Sequence, residues 1–234
     1  MQTLIFDCDG VLVDSEVIAE RTLAQRLAQW LPDIDVENAL NEALGRTTEA
    51  ILEHLAAASR HSLPQGALSL LDDEIEARLS RELQPVPGVA QAIEAIDLAR
   101  AVVSNSRRQR VESSLATTGL RHVLGEVPIF CAEQVARPKP DPAIYRLAAQ
   151  TLGVAPADCL VVEDSMSGAS AALAAGMTVI GFVGASHVPP NQASRLRDLG
   201  VWQVMTDMRE LPELVVSWQQ QCRLNHRTRK GGAG

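Results

Sequence analysis

The chain has 234 residues, which is enough for one large domain or for a core domain with a smaller insert. Its formal net charge of -8 and its pI near 5.1 argue against nucleic acid as the main partner, because proteins that bind phosphate backbones usually carry a basic face. Residues 1–3 lead directly into an apolar run, with no basic leader and no stretch long enough for a signal peptide or a membrane span. We therefore expect a cytoplasmic protein with no nucleic-acid or membrane partner. Separately, we predict a monomer.

The first predicted element is a strand over residues 3–7, which ends in Asp7 and opens into a loop that contains Asp9 and Gly10. Residues two apart in a strand point to the same side, so the two carboxylates start out on one face. Like charges this close repel unless a cation or a shared proton relieves them, which favours a metal site or catalysis. The alternative interpretation is an ordinary turn rich in Asp and Gly.

The segment from residue 15 to 84 contains only helical patterns and no strand-like run. Its apolar residues recur at helical spacing in three stripes, and the chain then re-enters through Pro85 and Pro87, which stiffen the connection. This pattern predicts an all-helical insert placed directly after the first strand. The stripes are Leu23, Leu27 and Trp30; Ile51, Leu55 and Ala58; and Leu68, Leu71, Ile75 and Leu79.

Short apolar runs alternate with helical patterns from residue 99 onward, which is typical of parallel strands joined by crossover helices. Helix starts are predicted at Ser106, at Asp141-Pro142 and at Ser165, and each helix ends near a glycine. The predicted fold class is α/β, with a Rossmann-like core of residues 1–14 and 85–222 around a parallel sheet. The further strands are expected at 100–104, 128–131, 159–163, 178–182 and 202–206.

The C-terminal segment, residues 223–234, follows one more amphipathic helix that begins after Pro212. It is basic, lacks apolar periodicity and ends in glycines, so we expect a disordered tail. A solvated tail is favoured over a weak contact with an anion.

Four cysteines are scattered along the chain without the paired spacing of a metal site. We therefore expect reduced thiols rather than a disulfide framework or a zinc site. Cys8 lies between the two aspartates, where it could be oxidised or alkylated. The favoured interpretation is that its side chain fills a small apolar space on the opposite face of the strand. The other three are Cys131, Cys159 and Cys222.

Polar residues stand at the ends of three predicted strands: Asp7, Ser104 and the pair Glu163-Asp164. In an open parallel sheet, ligands bind outside the carboxyl ends of the strands, so these distant segments should converge. Lys139 is one of only two lysines in a chain rich in arginine. In a chain that otherwise uses arginine, a lysine at this position would be an odd exception if it served only as a solvated surface residue.

Residues 7–16 resemble the first motif of the haloacid dehalogenase superfamily of aspartate-nucleophile phosphatases, and the resemblance extends roughly from residue 3 to 183. It implies a helical cap, residues 15–84, that closes over the active site of the core. Within the superfamily, the chain is most similar to capped phosphatases such as phosphoglycolate and 6-phosphogluconate phosphatases. The later motifs follow in the expected order: Ser104-Asn105-Ser106, Lys139 within residues 137–142, and Glu163-Asp164-Ser165.

The resemblance also implies roles in phosphoryl transfer, which needs an in-line nucleophile, charge neutralisation and fixed donors. Asp7 would attack phosphorus to give an aspartyl-phosphate, and Asp9 would serve as acid and then base. Lys139 would bridge nucleophile and phosphate. The hydroxyl of Ser104 and the amides of Asn105 and Ser106 would bind the phosphate group, with the two amides at a helix N-terminus.

The cofactor implied is Mg²⁺, which suits a site made only of oxygen atoms. Its implied ligands are a carboxylate oxygen of Asp7, the backbone carbonyl of Asp9 and a carboxylate of Asp164, with Glu163 either a direct ligand or just behind them. Arg46, in a short loop between two cap helices, is a candidate for binding a second anionic group of the substrate. The alternative for Arg46 is an exposed side chain that pairs with a cap glutamate.

The predicted function is Mg²⁺-dependent hydrolysis of a small phosphorylated metabolite, such as a sugar phosphate or 6-phosphogluconate. The main alternative is a phosphosugar mutase of the beta-phosphoglucomutase type. Such mutases carry a His and an Arg in the cap, and the matching positions here are Ala19 and Thr48, which favours hydrolysis. Arg46 lies close enough to supply the arginine from a shifted loop, which keeps the mutase alternative open. Carbon-halogen hydrolases of the superfamily lack the second aspartate, so Asp9 argues against that activity. A phosphate-sensing or partner-binding protein that has lost catalysis is disfavoured, because each position that is catalytic in the family holds a residue able to perform that role.

Overall fold

The computed structural model describes residues 1–43, 48–185, 188–189 and 191–231, with the backbone alone for 41–42 and 225–231. Within these ranges six parallel strands form one sheet in the order β3-β2-β1-β4-β5-β6. All six strands predicted from the sequence are confirmed, with ends shifted by at most one residue. They are β1 (Thr3–Phe6), β2 (Ala99–Ser104), β3 (Ile129–Cys131), β4 (Cys159–Glu163), β5 (Thr178–Phe182) and β6 (Gln203–Met205).

The helices of the described ranges connect these strands or form the insert. Two compact units result, one made of Met1–Asp14 with Gln84–Gly234 and the other of Ser15–Leu83. The helices are α1 (Ser15–Trp30), α2 (Val36–Glu42), α3 (Thr48–Ala58), α4 (Ala67–Glu82), α5 (Val89–Glu94), α6 (Arg108–Thr117), α7 (Leu120–Leu124), α8 (Ala143–Leu152), α9 (Met166–Ala174), α10 (Gln192–Leu199) and α11 (Leu211–Gly231).

Strand β1 lies at the centre of the sheet and determines where the site forms. Its residues Leu4, Ile5 and Phe6 are fully buried, as expected for a parallel strand covered on both faces. Phe6 is in register with Val102 of β2 on one side and with Val162 of β4 on the other. From β1 the chain adds β2 and β3 on one side of the sheet, and then β4, β5 and β6 on the other. The crevice at the carboxyl end of β1 is therefore the topological switch point of the fold.

Two predicted helix starts are confirmed and one is wrong. Ser165 caps α9, where its hydroxyl accepts the backbone N–H of Gly168 at 3.0 Å. The Asp141 carboxylate accepts the N–H of Ala143 at 3.0 Å, at the start of α8. Ser106 does not cap α6, which begins at Arg108, because the Ser106 hydroxyl donates to Asp9 instead.

The predicted disorder of residues 223–234 is wrong over most of that range, since α11 continues to Gly231. Arginine, leucine and lysine are good helix formers, and basic residues near the C-terminus of a helix interact favourably with its dipole. These local preferences extend α11 even though the segment lacks an apolar stripe.

In the described part of the second unit, four helices pack around a core of their own. Leu27, Leu31 and Leu71 are fully buried there, together with most of the predicted stripe residues. The sequence analysis missed α2, whose start is capped by Asp35 through a 3.3 Å hydrogen bond from the N–H of Asn38. Gln84, assigned to the insert from the sequence, belongs to the first unit, where its carbonyl accepts the N–H of Asp14 at 3.1 Å.

No helix within the described ranges has both the length and the hydropathy needed to cross a bilayer. The four cysteines are free thiols. Burial raises the pKa of Cys8 well above its usual range and that of Cys131 and Cys159 to about 11, so these thiols remain protonated. Cys8 is therefore a buried filler between the aspartates.

The neighbours Leu70 and Leu71 in α4 provide a matched test of the helical core, because Leu71 is fully buried and Leu70 is 49% exposed. We expect Leu71→Ala to lower the free energy of unfolding by about 2–5 kcal/mol through lost burial and a residual cavity. Leu70→Ala should change it by less than about 0.5 kcal/mol. Chemical denaturation followed by circular dichroism measures both, and equal losses would contradict the packing described.

Candidate active site

A buried lysine joins the ends of three strands. The Lys139 ammonium donates to Oδ1 of Asp7 at 2.6 Å, to Oε1 of Glu163 at 2.6 Å and to the carbonyl of Val103 at 2.9 Å. Its side chain is only 4% exposed. All three hydrogens of the ammonium are therefore used, one on each of the strand segments β1, β4 and β2.

The backbone of Lys139 is held by Asn105, which follows β2. The Asn105 side-chain oxygen accepts the N–H of Lys139 at 3.0 Å, and its amide nitrogen donates to the Lys139 carbonyl at 3.2 Å. The predicted phosphate-binding residue Asn105 thus uses its side chain to position the lysine. Its backbone amide stays a predicted donor to phosphate.

Asp9 lies within reach of two donors from the segment after β2. The Ser106 hydroxyl donates to Oδ2 of Asp9 at 2.7 Å, and Nη2 of Arg110 lies 3.7 Å from Oδ1. The N–H of Ser106 donates to the hydroxyl of Ser104 at 3.0 Å. The predicted motif residues Ser104 and Ser106 therefore lie together beside Asp9, and they precede the helix rather than open it.

Glu163 is fully buried and fixed on both carboxylate oxygens. Its Oε1 accepts the Tyr145 hydroxyl at 2.7 Å in addition to Lys139, and its Oε2 accepts the Ser165 hydroxyl at 3.1 Å. Gly168 of α9 lies directly against this carboxylate, so that a Cβ atom at position 168 would overlap it. Such close packing defines a single location for the Glu163 carboxylate.

Three buried carboxylates could hold a cation here. Asp7, Glu163 and Asp164 each offer an oxygen, and these atoms lie within 4.8 Å of one another. Three carboxylates against the single ammonium of Lys139 leave an excess of two negative charges, which one divalent cation balances. Oxygen ligands of this kind fit Mg²⁺. Asp164 is positioned by Gln192, whose side-chain amide donates to the Asp164 carbonyl at 2.7 Å.

The electrostatics of the cluster depend on burial and on mutual charge. Burial raises the pKa of Asp7 well above its usual range, although the ammonium of Lys139 opposes this effect. Burial also acts to lower the pKa of Lys139, but Asp7 and Glu163 outweigh it and raise that pKa. Lys139 therefore stays charged, and a further cation near Asp7 would favour its ionised form.

The model of the haloacid dehalogenase-like hydrolase family matches residues 1–176 of the chain. The protein belongs to this family. Its six-stranded parallel core agrees with that of a hydrolase of the family from Deinococcus radiodurans R1, whose structure was solved with bound phosphate and sodium. The two are 32% identical with a TM-score of 0.81, over 94% of this chain and 96% of the other.

Two relatives from Escherichia coli K12 carry functional names. A 6-phosphogluconate phosphatase is 27% identical over 215 residues, which cover 92% of this chain and 94% of the relative. A fructose-1-phosphate phosphatase is 31% identical over 180 residues, covering 76% and 94%.

The structure brings together all but one of the predicted site residues and adds others that the sequence analysis missed. The exception is Arg46, which lies outside the described residues, so its role stays a prediction. The added residues are Tyr145, Gly168, Arg110 and Gln192. The only available sequence indication was that Tyr145 is the single tyrosine of the chain and follows Lys139 by less than two helical turns.

The close packing of the Glu163 carboxylate against Gly168 can be tested by a substitution at Gly168. Replacing a helical glycine by alanine ordinarily stabilises a helix by about 0.5–1 kcal/mol. We expect Gly168→Ala to destabilise the protein by about 1–3 kcal/mol instead, because the new methyl group must displace the Glu163 carboxylate or α9. Thermal unfolding measures the sign, with Ser167→Ala as the control in the same turn. A raised Tm for Gly168→Ala would show that the carboxylate does not lie against this glycine.

Proposed function

We propose that this haloacid dehalogenase-like hydrolase is a divalent-cation-dependent phosphatase, which hydrolyses a small phosphorylated metabolite through a phosphorylated Asp7. The observation that carries the proposal is the 2.6 Å contact between the Asp7 carboxylate and the buried ammonium of Lys139. A carboxylate held at a strand end beside a fixed cation can both attack phosphorus and stabilise the charge that develops there. The phosphate bound in the Deinococcus radiodurans relative supports this chemistry.

In the first step, a carboxylate oxygen of Asp7 attacks the phosphorus of the ester and the bond from phosphorus to the ester oxygen breaks. The departing oxygen takes a proton from the carboxyl group of Asp9, so that a neutral alcohol leaves. The products are the alcohol and an aspartyl-phosphate. The Lys139 ammonium and the hydroxyl of Ser104 are the protein groups we assign to the phosphate oxygens.

In the second step, the ionised Asp9 takes a proton from water and the resulting hydroxide attacks the phosphorus of the acyl phosphate. The bond from phosphorus to the Asp7 oxygen breaks, which releases phosphate and regenerates both side chains. Nη2 of Arg110 lies 3.7 Å from Oδ1 of Asp9, so a positive charge stands beside this carboxylate. Ser106 holds the other oxygen of Asp9 throughout.

The residues that would hold Mg²⁺ are Asp7 and Asp164 through carboxylate oxygens and Asp9 through its backbone carbonyl. When bound, the ion neutralises phosphate charge and keeps Asp7 ionised. Glu163 already accepts hydrogen bonds on both oxygens, so we assign it to Lys139 rather than to the metal. This assignment narrows the wider ligand set of Asp7, Asp9, Glu163 and Asp164 predicted from the sequence.

The proposed substrate class is a sugar phosphate or a phosphorylated sugar acid. It rests on the names of the two Escherichia coli relatives, one a 6-phosphogluconate phosphatase and the other a fructose-1-phosphate phosphatase. Phosphate release from a panel of phosphorylated sugars and sugar acids tests it. Conversion of a sugar phosphate into its positional isomer, without phosphate release, would favour the mutase alternative.

We expect Asp7→Asn to abolish turnover while the fold is retained, because the amide is nearly isosteric with the carboxylate but is not nucleophilic. Asp9→Asn should lower kcat by about 100- to 10,000-fold through loss of proton transfer. Initial rates with p-nitrophenyl phosphate measure both, and Asp97→Asn at an exposed position is the matched control. Wild-type rates in purified Asp7→Asn would exclude the covalent mechanism.

We expect activity to require a divalent cation. Excess EDTA should abolish turnover and added Mg²⁺ should restore it, because the carboxylate cluster retains an excess of negative charge that otherwise opposes a phosphate dianion. Ca²⁺ should inhibit, since it takes more ligands at longer distances than Mg²⁺. Phosphate release after metal depletion measures this dependence. Full activity in EDTA, with the metal content verified as absent, would contradict the proposed site.

A further inference from the structure

Tyr145 is the single tyrosine of the chain and is fully buried in α8. Its hydroxyl donates to Oε1 of Glu163 at 2.7 Å, and the same oxygen accepts the Lys139 ammonium at 2.6 Å. The ring of Tyr145 also lies beneath that ammonium, with Nζ 5.1 Å from the ring centroid. One side chain therefore contacts both the lysine and the carboxylate that anchors it.

We propose that Tyr145 is a positioning residue that keeps Glu163, and through it the Lys139 ammonium, in the geometry that serves Asp7. The proposal rests on the proposed phosphatase function for its catalytic consequence. Tyr145 would act through its hydrogen bond to Glu163 and through the contact of its ring with the Lys139 ammonium.

The hydrogen bonds that locate the Glu163 carboxylate differ in length. On Oε2, the Ser165 hydroxyl donates at 3.1 Å and the Ser165 N–H at 3.5 Å, which are long bonds. On Oε1, the Tyr145 hydroxyl donates at 2.7 Å, a short bond of the kind made to charged acceptors. Apart from Lys139, Tyr145 is therefore the strongest donor that fixes Glu163, while Gly168 only limits how far the carboxylate can move.

The charge of the groups that donate to Glu163 also affects where Lys139 lies. Lys139 is the one cation in contact with Asp7 among the described residues, and its position is set by where its three acceptors lie. A second cationic donor to Glu163 would draw this carboxylate away from the lysine. A phenol donates a hydrogen bond without adding charge, so it holds Glu163 and leaves the attraction to Lys139 intact. Its ring face adds a favourable contact with the ammonium.

A shift of Glu163 would reach Asp7 through Lys139. A displaced Glu163 would shift the ammonium along the line between Glu163 and Asp7, since one lysine bridges both carboxylates. Misplacement of a catalytic group by about 1 Å can lower a rate by about 100-fold. Substrate binding need not change, because Tyr145 is fully buried behind the lysine.

The test is Tyr145→Phe, which removes the hydroxyl and keeps the ring. We expect kcat on p-nitrophenyl phosphate with Mg²⁺ to fall by about 10- to 100-fold, and KM to change by less than about 2-fold. Thr22→Val is the matched control, because it also removes a buried hydroxyl, which donates to the Ile18 carbonyl at 2.6 Å. That control should leave kcat unchanged even if it lowers Tm.

A second readout does not depend on activity. The chain has only two lysines, Lys139 and Lys230, so protein labelled with ¹³Cε- and ¹⁵Nζ-lysine gives two side-chain NMR signals, and Lys230→Arg assigns them. We expect the Lys139 signal to shift in Tyr145→Phe and to stay in place in Thr22→Val. If Tyr145→Phe does not fold, 3-fluorotyrosine labels position 145 alone and makes its hydroxyl a stronger donor, which should also shift the Lys139 signal.

The outcomes separate this proposal from the proposed function. An unchanged kcat in folded Tyr145→Phe overturns the positioning role while phosphatase activity stands, and so does a lowered kcat with an unmoved Lys139 signal. If the wild-type protein hydrolyses no phosphate ester, the proposed function fails, and the Lys139 signal alone then decides whether Tyr145 locates the lysine. An unmoved signal in both Tyr145→Phe and the fluorotyrosine protein overturns it.

Discussion

The contact between the buried Lys139 ammonium and the carboxylates of Asp7 and Glu163 is the interaction around which this structure is organised. Burying an ion costs several kcal/mol unless its partners satisfy it closely. Here three acceptors take the three hydrogens of the ammonium, and each belongs to a different strand segment. The alignment of β1, β2 and β4 is therefore a condition for keeping this charge inside the protein.

The topology of the sheet makes that condition achievable. Because β1 is central and its neighbours are β2 and β4, the residues that follow these three strands lie side by side at one edge. Asp7 follows β1, Asn105 follows β2 and Glu163 ends β4. The proposed nucleophile, the residue that holds the Lys139 backbone and the second carboxylate bound by Lys139 therefore come from adjacent strands. The lysine enters from the segment between β3 and α8, which Asn105 fixes through two hydrogen bonds.

The sequence predicted the fold and the strand-end residues for clear physical reasons. Buried parallel strands appear as continuous apolar runs, and polar residues that follow such runs can only meet at the carboxyl edge. Other features depend on how side chains orient after the helices pack. Residue order could not predict that Ser106 binds Asp9 rather than capping a helix. Nor could it predict the packing of Glu163 against Gly168 or the hydrogen bond from Tyr145 to Glu163. The helical continuation of α11 follows from the helix propensity of its residues, whereas the basic, glycine-ended composition of the segment is typical of a disordered tail.

In the proposed mechanism Asp7, held beside Lys139, takes the phosphoryl group before water does. The stereochemistry at phosphorus tests it most directly, with an aryl phosphorothioate made chiral by oxygen isotopes and hydrolysed in isotopically labelled water. Two successive in-line displacements, one by Asp7 and one by water, predict overall retention of configuration. Inversion would mean that water attacks the ester directly, and it would contradict the account.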